Sequence, residues 1–191
     1  MELKIRDFIK NENNCSGSFA EAVLSMDDGD TLLLEGGTYH FYPDGAYRKE
    51  CYVSNNDSGE KPIALPVLNK KNITVDGGGA ELIFHGMMMP ILCEASENIT
   101  LKNLSIDYST PFYAQAKILS ASPQGILIQF DGKEFNCRVQ RGNLCFYSPR
   151  DGWEIETERT LALEFDKEGH PSPYSKVYFS YTGKETDHGF Q

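Results

Sequence analysis

Two aspartates, a histidine and a tyrosine are the side chains whose types and positions suggest chemistry in this chain. Asp76 and Asp107 each follow a short apolar segment, and His85 and Tyr108 lie near them in the sequence. Carboxylates and imidazoles transfer protons at active sites, and aromatic or charged groups orient polar ligands. His85, Asp107 and Tyr108 are therefore the candidate substrate contacts.

The two aspartates are not predicted to form a catalytic pair. They lie in two related segments, and the match between the segments places Asp76 opposite Lys102 rather than opposite Asp107. The alternative role for both carboxylates is turn formation through hydrogen bonds to the backbone, which the sequence favours.

Motifs of other enzyme classes are absent from the sequence, including Gly-x-Ser-x-Gly, His-Glu-x-x-His and a Cys/His pair at ligand spacing. The glycines of Asp76–Gly79 do not fit a phosphate-binding loop and are predicted to turn a corner between strands. His85 precedes Met87–Met89, but no second ligand follows at metal spacing, and methionine commonly fills gaps in cores. We expect neither a metal nor a cofactor.

A repeated segment predicts the elements that carry these residues. Asn72-Ile73-Thr74-Val75 returns as Asn98-Ile99-Thr100-Leu101, 26 residues later. Repeats of this length are typical of solenoids, and β-branched residues in alternation favour strands. We predict a parallel β-helix in which Ile73 stacks over Ile99 and Val75 over Leu101, with the asparagines forming a hydrogen-bonded ladder. The alternative is a chance similarity between two ordinary strands.

A short helix is predicted before the repeat, at 18–24, with Ser18 and Glu21 as a capping box. Its apolar face would cover the open end of the first coil, since solenoids need such caps. A strand at 31–34 follows. The polar, proline- and glycine-containing segment 42–66 is predicted to be a long loop, whose tyrosines either contact a ligand or pack against the coil.

The pattern changes after residue 112, so we predict two domains, 1–112 and 113–191. Residues 113–182 contain strands of similar length separated by glycine and proline turns, which indicates a small antiparallel β-barrel or sandwich. Trp153 lies in this module and is expected to pack in its core rather than against a ligand.

Charge and cysteine content limit the partners and the compartment. A net charge of −10 without a basic segment argues against nucleic acid and anionic membranes. Five cysteines without a Cys-x-x-Cys motif indicate reduced thiols. The charged segment Met1–Asp7 does not look like a signal peptide, so we expect a cytoplasmic protein. A trimmed signal peptide would leave the same N-terminus and would indicate a secreted or periplasmic protein.

The repeated segments resemble the N-terminal part of family-110 glycoside hydrolases, the α-1,3-galactosidases. The similarity includes Asn72–Gly79, Ile83–Gly86 and Asn98–Tyr108, followed by Pro111, Phe112 and Gln115. A Gly-Asp-Thr segment at 29–31 and a Gly-Gly-Thr-Tyr segment at 36–39 also resemble the first coil of pectate-lyase-like proteins. The resemblance is detailed over about residues 17–120 and architectural elsewhere.

The resemblance implies a right-handed parallel β-helix with β-barrel insertions. It also implies hydrolysis of terminal α-galactose from an oligosaccharide or glycan, with inversion and without metal. Because the catalytic carboxylates of the family are expected in later coils, no catalytic residue is assigned and the chain is expected to be inactive alone. The alternative is a non-catalytic carbohydrate-binding or surface adhesion module on the same fold. The oligomeric state stays open.

Overall fold

The computed structural model describes residues 1–53, 58–112, 114–123, 125–130, 136–157, 159–161, 163–172, 178–180, 185–186 and 189–190. Within them the chain is mostly β-strand with one α-helix, so the predicted all-β class is confirmed. The chain divides into two compact units, Met1–Ser109 and Thr110–Gln191.

The first unit begins with a strand and a 3-10 helix (Ile5–Asp7), and its α-helix α1 spans Ser16–Ser25. Its strands in the described residues are β1 (Glu2–Lys4), β2 (Thr31–Leu33), β3 (Thr38–Phe41), β4 (Tyr47–Cys51), β5 (Gly59–Leu68), β6 (Thr74–Phe84), β7 (Met89–Glu94) and β8 (Thr100–Tyr108).

Parallel pairing builds the main sheet of this unit, in the order β1-β2-β6-β8, with β3 also beside β6. Leu32, Val75 and Leu101 occupy one register position across three strands. The predicted stacking of Val75 over Leu101 is therefore confirmed. A second sheet pairs β7 in parallel with β5, which places Leu65 beside Ile91, while β4 runs antiparallel to β5.

Aromatic rings connect α1 to three strands through the buried core. Phe19 of α1 meets Phe41 edge-on at 4.8 Å between ring centroids, and Phe41 stacks on Phe84 at 4.7 Å. Phe84 lies 5.8 Å from Tyr108 on β8. Such pairs add roughly 0.5–1.5 kcal/mol each beyond the area that they bury, so the rings help to fix the order of the strands.

The predicted asparagine ladder is confirmed at one corner of the repeat. The amide Nδ2 of Asn98 donates to Oδ1 of Asn72 at 2.7 Å. Both residues have left-handed backbones, with φ of 57° at Asn72 and 56° at Asn98. Asparagine tolerates this region better than most residues do, which explains why the same residue type marks the corner in both copies.

The glycines after Asp76 do not turn a corner between two strands, contrary to the prediction. They lie inside β6, where the register with β8 shifts between Asp76 and Ala80. Gly78 and Gly79 have φ of 57° and 89°. The glycines therefore form a bulge that lets a single strand continue at a changed register.

The predicted loop at 42–66 is also wrong, because most of this segment forms the antiparallel hairpin of β4 and β5. Ile63, Leu65 and Val67 of β5 are fully buried. Residues 54–57 of this predicted loop lie outside the described residues.

The capping box predicted at Ser18 and Glu21 does not form. The helix begins at Ser16, and Ser18 Oγ accepts the backbone N–H of Lys10 at 3.1 Å. Glu21 instead pairs with the Lys10 ammonium. The predicted apolar face of the helix is present, because Phe19 and Val23 are buried in the same core as the strands. Leu24 of the same helix is 37% exposed.

The second unit shows the predicted antiparallel pairing. Its strands in the described residues are β9 (Ala116–Ser122), β10 (Gly125–Phe130), β11 (Asn136–Gln140), β12 (Asn143–Ser148), β13 (Trp153–Thr157), β14 (Arg159–Leu161), β15 (Tyr178–Ser180), β16 (Glu185–Thr186) and β17 (Gly189–Phe190). Strand β9 pairs with β10, β12 lies between β11 and β13, β14 pairs with β15, and β17 lies between β10 and β16. Trp153 is buried, with its ring 5.1 Å from Phe112.

Candidate functional site

The register of the main sheet of the first unit shows which of the candidate residues face outward. His40, Ile83 and Asp107 share one register position across β3, β6 and β8, and the next position holds Phe41, Phe84 and Tyr108. Because Phe41 and Phe84 are fully buried and successive side chains alternate between faces, the His40 row points away from the core.

His85 lies just after β6, is buried with 7% of its surface exposed, and contacts His40 of β3 and Tyr42, which follows β3. Its Nε2 is 3.0 Å from Nδ1 of His40, and its ring stacks on Tyr42 at 4.2 Å between centroids with an angle of 5° between the planes. Its backbone N–H donates to the carbonyl of Phe41 at 2.9 Å. The contact between the two imidazoles requires one proton between them, so one ring donates and the other accepts.

Residues behind this cluster fix Tyr42. Ser16 Oγ donates to the carbonyl of Tyr42 at 2.8 Å and accepts its backbone N–H at 2.9 Å. Ser16 is fully buried at the start of α1. The helix therefore positions the ring that stacks on His85.

Asp107 is exposed at the end of β8, and its Oδ1 accepts the backbone N–H of Tyr108 at 2.7 Å. This hydrogen bond uses one carboxylate oxygen within the strand itself. Asp107 thus lies on the outward face with a carboxylate that can also accept a hydrogen bond from a ligand hydroxyl.

Tyr108 lies on the opposite face from Asp107. Its hydroxyl donates to the backbone carbonyl of Met88 at 2.8 Å, and its ring lies beside Phe84. Burial raises the pKa of Tyr108. The structure therefore places His85 together with His40 and Tyr42, while the ring of Tyr108 belongs to the inner face.

Asp76 has a structural role, as the sequence favoured. It accepts hydrogen bonds from Asn103 Nδ2 at 2.9 Å and from the backbone N–H of Gly78 at 3.2 Å, and the ammonium of Lys102 lies 3.2 Å away. These contacts, with that of Asn103 the largest, lower the pKa of Asp76. The predicted position of Asp76 opposite Lys102 is confirmed.

His40 was missed as a site residue, and Tyr42 was considered only as one of the tyrosines of the predicted loop at 42–66. They lie 45 and 43 residues before His85, which is not a multiple of the repeat length. The available signal was the segment Thr38–Phe41, whose alternation of outward and inward residues matches Glu81–Phe84 position by position. Thr38 Oγ1 even donates to Glu81 Oε2 at 3.2 Å across that pairing.

In the part of the chain that the structure describes, no group of three or more His, Cys, Asp or Glu side chains is arranged to hold a metal ion. Among the same residues, no helix has the length and apolar character needed to span a membrane.

Comparison with known proteins shows similarity to α-1,3-galactosidases. The chain is 39% identical to α-1,3-galactosidase B of Phocaeicola vulgatus over 145 residues, which are 75% of this chain and 24% of that protein. It is 34% identical to α-1,3-galactosidase A of Shewanella woodyi over 156 residues, 81% of this chain and 25% of that protein. Identity to α-1,3-galactosidase B of Akkermansia muciniphila is 29% over 146 residues, 76% of this chain and 18% of that protein.

The chain thus spans about a quarter or less of the length of the curated relatives that it matches. No family model matches the chain. The resemblance drawn from the repeated segments is confirmed by these relatives.

Proposed function

We propose that this chain is part of a glycoside hydrolase that acts on terminal α-galactosides of an oligosaccharide or glycan. The observation that carries the proposal is its identity of 29–39% to proteins named α-1,3-galactosidases over about three quarters of its length. Fold alone would not carry it, since one fold hosts many activities.

The proposed architecture is that of a right-handed parallel β-helix of the pectate-lyase-like type, with α1 as its cap. In support, Leu32, Val75 and Leu101 stack in register along three parallel strands. We further propose that residues 1–112 are the cap and first coils and that residues 113–191 are a separate β-barrel or sandwich module. The antiparallel pairing from β9 onward supports that division.

The proposed glycan contacts are His85, which is 7% exposed, and Asp107, which is exposed on the outward face. Aromatic rings and hydrogen-bonding side chains together suit a sugar, which has apolar C–H faces and polar edges. We propose that His40 and Tyr42 orient His85 there. Tyr108, the third candidate, would act by supporting the strand, because its hydroxyl is bonded to the carbonyl of Met88.

The proposed chemistry is inverting hydrolysis without metal. One carboxylic acid protonates the glycosidic oxygen as its bond to the sugar breaks. A second carboxylate, about 6.5–9.5 Å from the first, removes a proton from the water that attacks the opposite face. We propose that both carboxylates lie outside this chain. Asp76 supports this view, because the hydrogen bonds from Asn103 and Gly78 and the ammonium of Lys102 lower its pKa and make it a poor acid.

A second candidate is a non-catalytic carbohydrate-binding or surface adhesion module. The rings of Tyr42 and His85 stack on each other, and no pair of catalytic carboxylates is assigned beside them. Stacked rings of this kind can bind a sugar without hydrolysing it, which favours this alternative. The two candidates predict the same ligand and differ in turnover.

The test measures hydrolysis and binding separately. We expect the isolated chain to bind an α-1,3-linked galactobiose in NMR titrations but not to hydrolyse p-nitrophenyl α-galactoside. A longer protein that contains the chain should hydrolyse p-nitrophenyl α-galactoside. His85→Ala should weaken binding at least about tenfold, or 1.4 kcal/mol. His170→Ala, which changes an exposed histidine paired with Asp166 in the second unit, is the matched control.

Three outcomes would contradict parts of the proposal. Robust turnover by the isolated chain would refute the position given to the carboxylates. A longer protein that binds galactosides without hydrolysing them would favour the adhesion or binding module. Binding that His85→Ala leaves unchanged would refute the site on the outward face.

A further inference from the structure

The start of helix α1 is hydrogen-bonded to the end of β3 and to the residues that follow it. Three consecutive residues each bond to the backbone of one of three alternate residues: Cys15 to His40, Ser16 to Tyr42, and Asn14 to Asp44. The donor–acceptor distances are 2.8 to 2.9 Å. The segment 40–44 is therefore fixed to the start of the helix at every second residue.

Alternation of the backbone explains why these residues face the helix. Backbone groups of successive residues in an extended segment point to opposite sides. The carbonyls of Gly37 and Phe41 accept the N–H groups of Glu81 and His85, on the β6 side, at 2.8 and 2.9 Å. The carbonyls of the even-numbered residues 40, 42 and 44 therefore point to the other side, where α1 begins.

Both residues that contact His85 lie in this segment. Nδ1 of His40 is 3.0 Å from Nε2 of His85, and the ring of Tyr42 stacks on the ring of His85. His40 and Tyr42 are half-buried, whereas Ser16 behind them is fully buried. A displacement of the segment away from α1 would thus move both of the rings that orient His85.

The backbone of the helix also approaches the segment closely. A Cβ atom at Gly17 would lie 3.1 Å from the carbonyl oxygen of Gly45. A hydrogen bond from Arg48 to the carbonyl of Pro43 reaches the same segment from β4 but is longer, at 3.4 Å. The shorter side-chain hydrogen bonds from the start of α1 are therefore the ones that fix the position of the segment.

We propose that Asn14 and Ser16 are positioning residues of the glycan site, which act on a bound sugar through Tyr42 and His85 without touching it. The inference rests on the proposed function, because it takes the surroundings of His85 to be the place where a galactoside binds. Energetic coupling of this kind is reciprocal. The start of α1 strengthens ligand binding, and a bound ligand strengthens the hydrogen bonds at the start of α1.

The stacked rings give a spectroscopic readout that needs no ligand. The ring of Tyr42 lies 4.2 Å from that of His85 and nearly parallel to it, so it should shift the NMR signals of the His85 ring protons upfield. Ser16→Ala removes both hydrogen bonds to Tyr42 and should reduce this shift in the folded 191-residue chain. Ser25→Ala, at the other end of α1, is the matched control and should leave the shift unchanged.

Asn14→Asp separates positioning from the stability of the helix. Oδ1 of Asn14 accepts the N–H of Ser16 at 3.1 Å, and a carboxylate at this position keeps that bond and suits the start of a helix. The loss of the Nδ2 donor leaves a carboxylate oxygen against the carbonyl of Asp44. A merely structural role predicts an unchanged His85 shift in this variant, whereas positioning predicts a reduced one.

Binding of α-1,3-linked galactobiose tests the coupling itself. Ser16→Ala and Asn14→Asp should each weaken binding about threefold to tenfold relative to the wild-type chain, as expected for residues that act on a ligand through others. Galactobiose should in turn slow the hydrogen exchange of the Cys15 amide, which is bonded to His40. Ser25→Ala should bind like the wild-type chain.

The outcomes distinguish this inference from the proposed function. A wild-type chain that does not bind galactobiose would refute the proposed function, and the role of α1 in binding with it. A wild-type chain that binds, while Ser16→Ala and Asn14→Asp bind equally well, would overturn the inference alone. An unchanged His85 shift in both variants would also overturn it, because α1 would then not set the position of Tyr42.

Discussion

Gly77 gives the sharpest test of how closely β6 and β8 approach. A Cβ atom at this position would lie 2.3 Å from the carbonyl oxygen of Asn103 and 2.5 Å from Cβ of Leu104. Both obstructing atoms belong to the backbone or sit next to it, so no side-chain rotation relieves the contact. Gly77→Ala therefore has to displace β8 from the bulge.

The size of the effect follows from those distances. Contacts between carbon atoms are optimal at about 3.5–4.0 Å, so the strands would have to separate by about 1 Å. Overpacking of a core costs about 1–3 kcal/mol and sometimes more. We expect about 3 kcal/mol for Gly77→Ala, because the displaced group is a strand.

Gly79 is the matched control for the loss of glycine in the same bulge. It has φ of 89°, and a Cβ atom there would meet nothing within 4 Å. Gly79→Ala should therefore cost only the left-handed backbone penalty, about 1–2 kcal/mol. The difference between the two variants isolates the close approach of β8.

Native-state amide exchange of the first unit is the suitable assay, because the only tryptophan, Trp153, lies in the second unit. Globally protected amides of β6, such as that of Leu82, should exchange about 100-fold faster in Gly77→Ala than in wild type, and roughly tenfold faster in Gly79→Ala. Equal exchange in Gly77→Ala and wild type, or a larger effect of Gly79→Ala, would refute the reasoning.

Three further predictions address the helix, the pH response and the inner face. Ser16→Ala removes both hydrogen bonds between the buried Ser16 hydroxyl and the backbone of Tyr42 and should cost about 2 kcal/mol in urea unfolding, whereas exposed Ser25→Ala should cost less. The pKa of Asp76 is lowered in the folded chain, so its stabilising contribution should be complete above the ordinary value of about 3.9. It should be lost as the pH falls through the folded pKa, and Asp76→Asn should flatten that part of a pH–stability curve. Tyr108→Phe should cost about 1 kcal/mol through the lost bond to Met88 and leave galactobiose binding unchanged; loss of binding in NMR titrations would contradict its place on the inner face.

The stacked strands could be predicted because the repeat places equivalent residues at one interval. Asn72 and Asn98 mark the same corner, and Val75 and Leu101 share one register position, so the interval of 26 residues fixes the register of β6 against β8 before the bulge. After the bulge the interval is 24, as in the pair Ala80 and Leu104, and the repeat did not predict this change. The phase of the same match also predicted that Asp76 faces Lys102. Information of this kind is local in the sequence and needs no knowledge of distant contacts.

The missed features depend on contacts between unlike segments. Strand β4 is polar at most positions, and the sequence of β5 contains prolines at 62 and 66. This segment therefore resembles a loop in sequence, although Ile63 and Leu65 are buried in the structure. The start of α1 is set by Ser16 bonding to Tyr42, a contact between residues far apart, rather than by a local capping box. The contact between His40 and His85 likewise arises from pairing of β3 with β6, which the repeat does not predict.

The hydrogen bond between the side-chain amides of Asn98 and Asn72 makes the effect of deamidation on stability differ between the two residues. Asn98 supplies the N–H and Asn72 the oxygen. Deamidation of Asn72 would leave an acceptor of stronger charge, whereas deamidation of Asn98 would remove the donor and set a carboxylate against a carbonyl oxygen. Stored protein should therefore lose stability when the lesion is at 98 and keep it when the lesion is at 72.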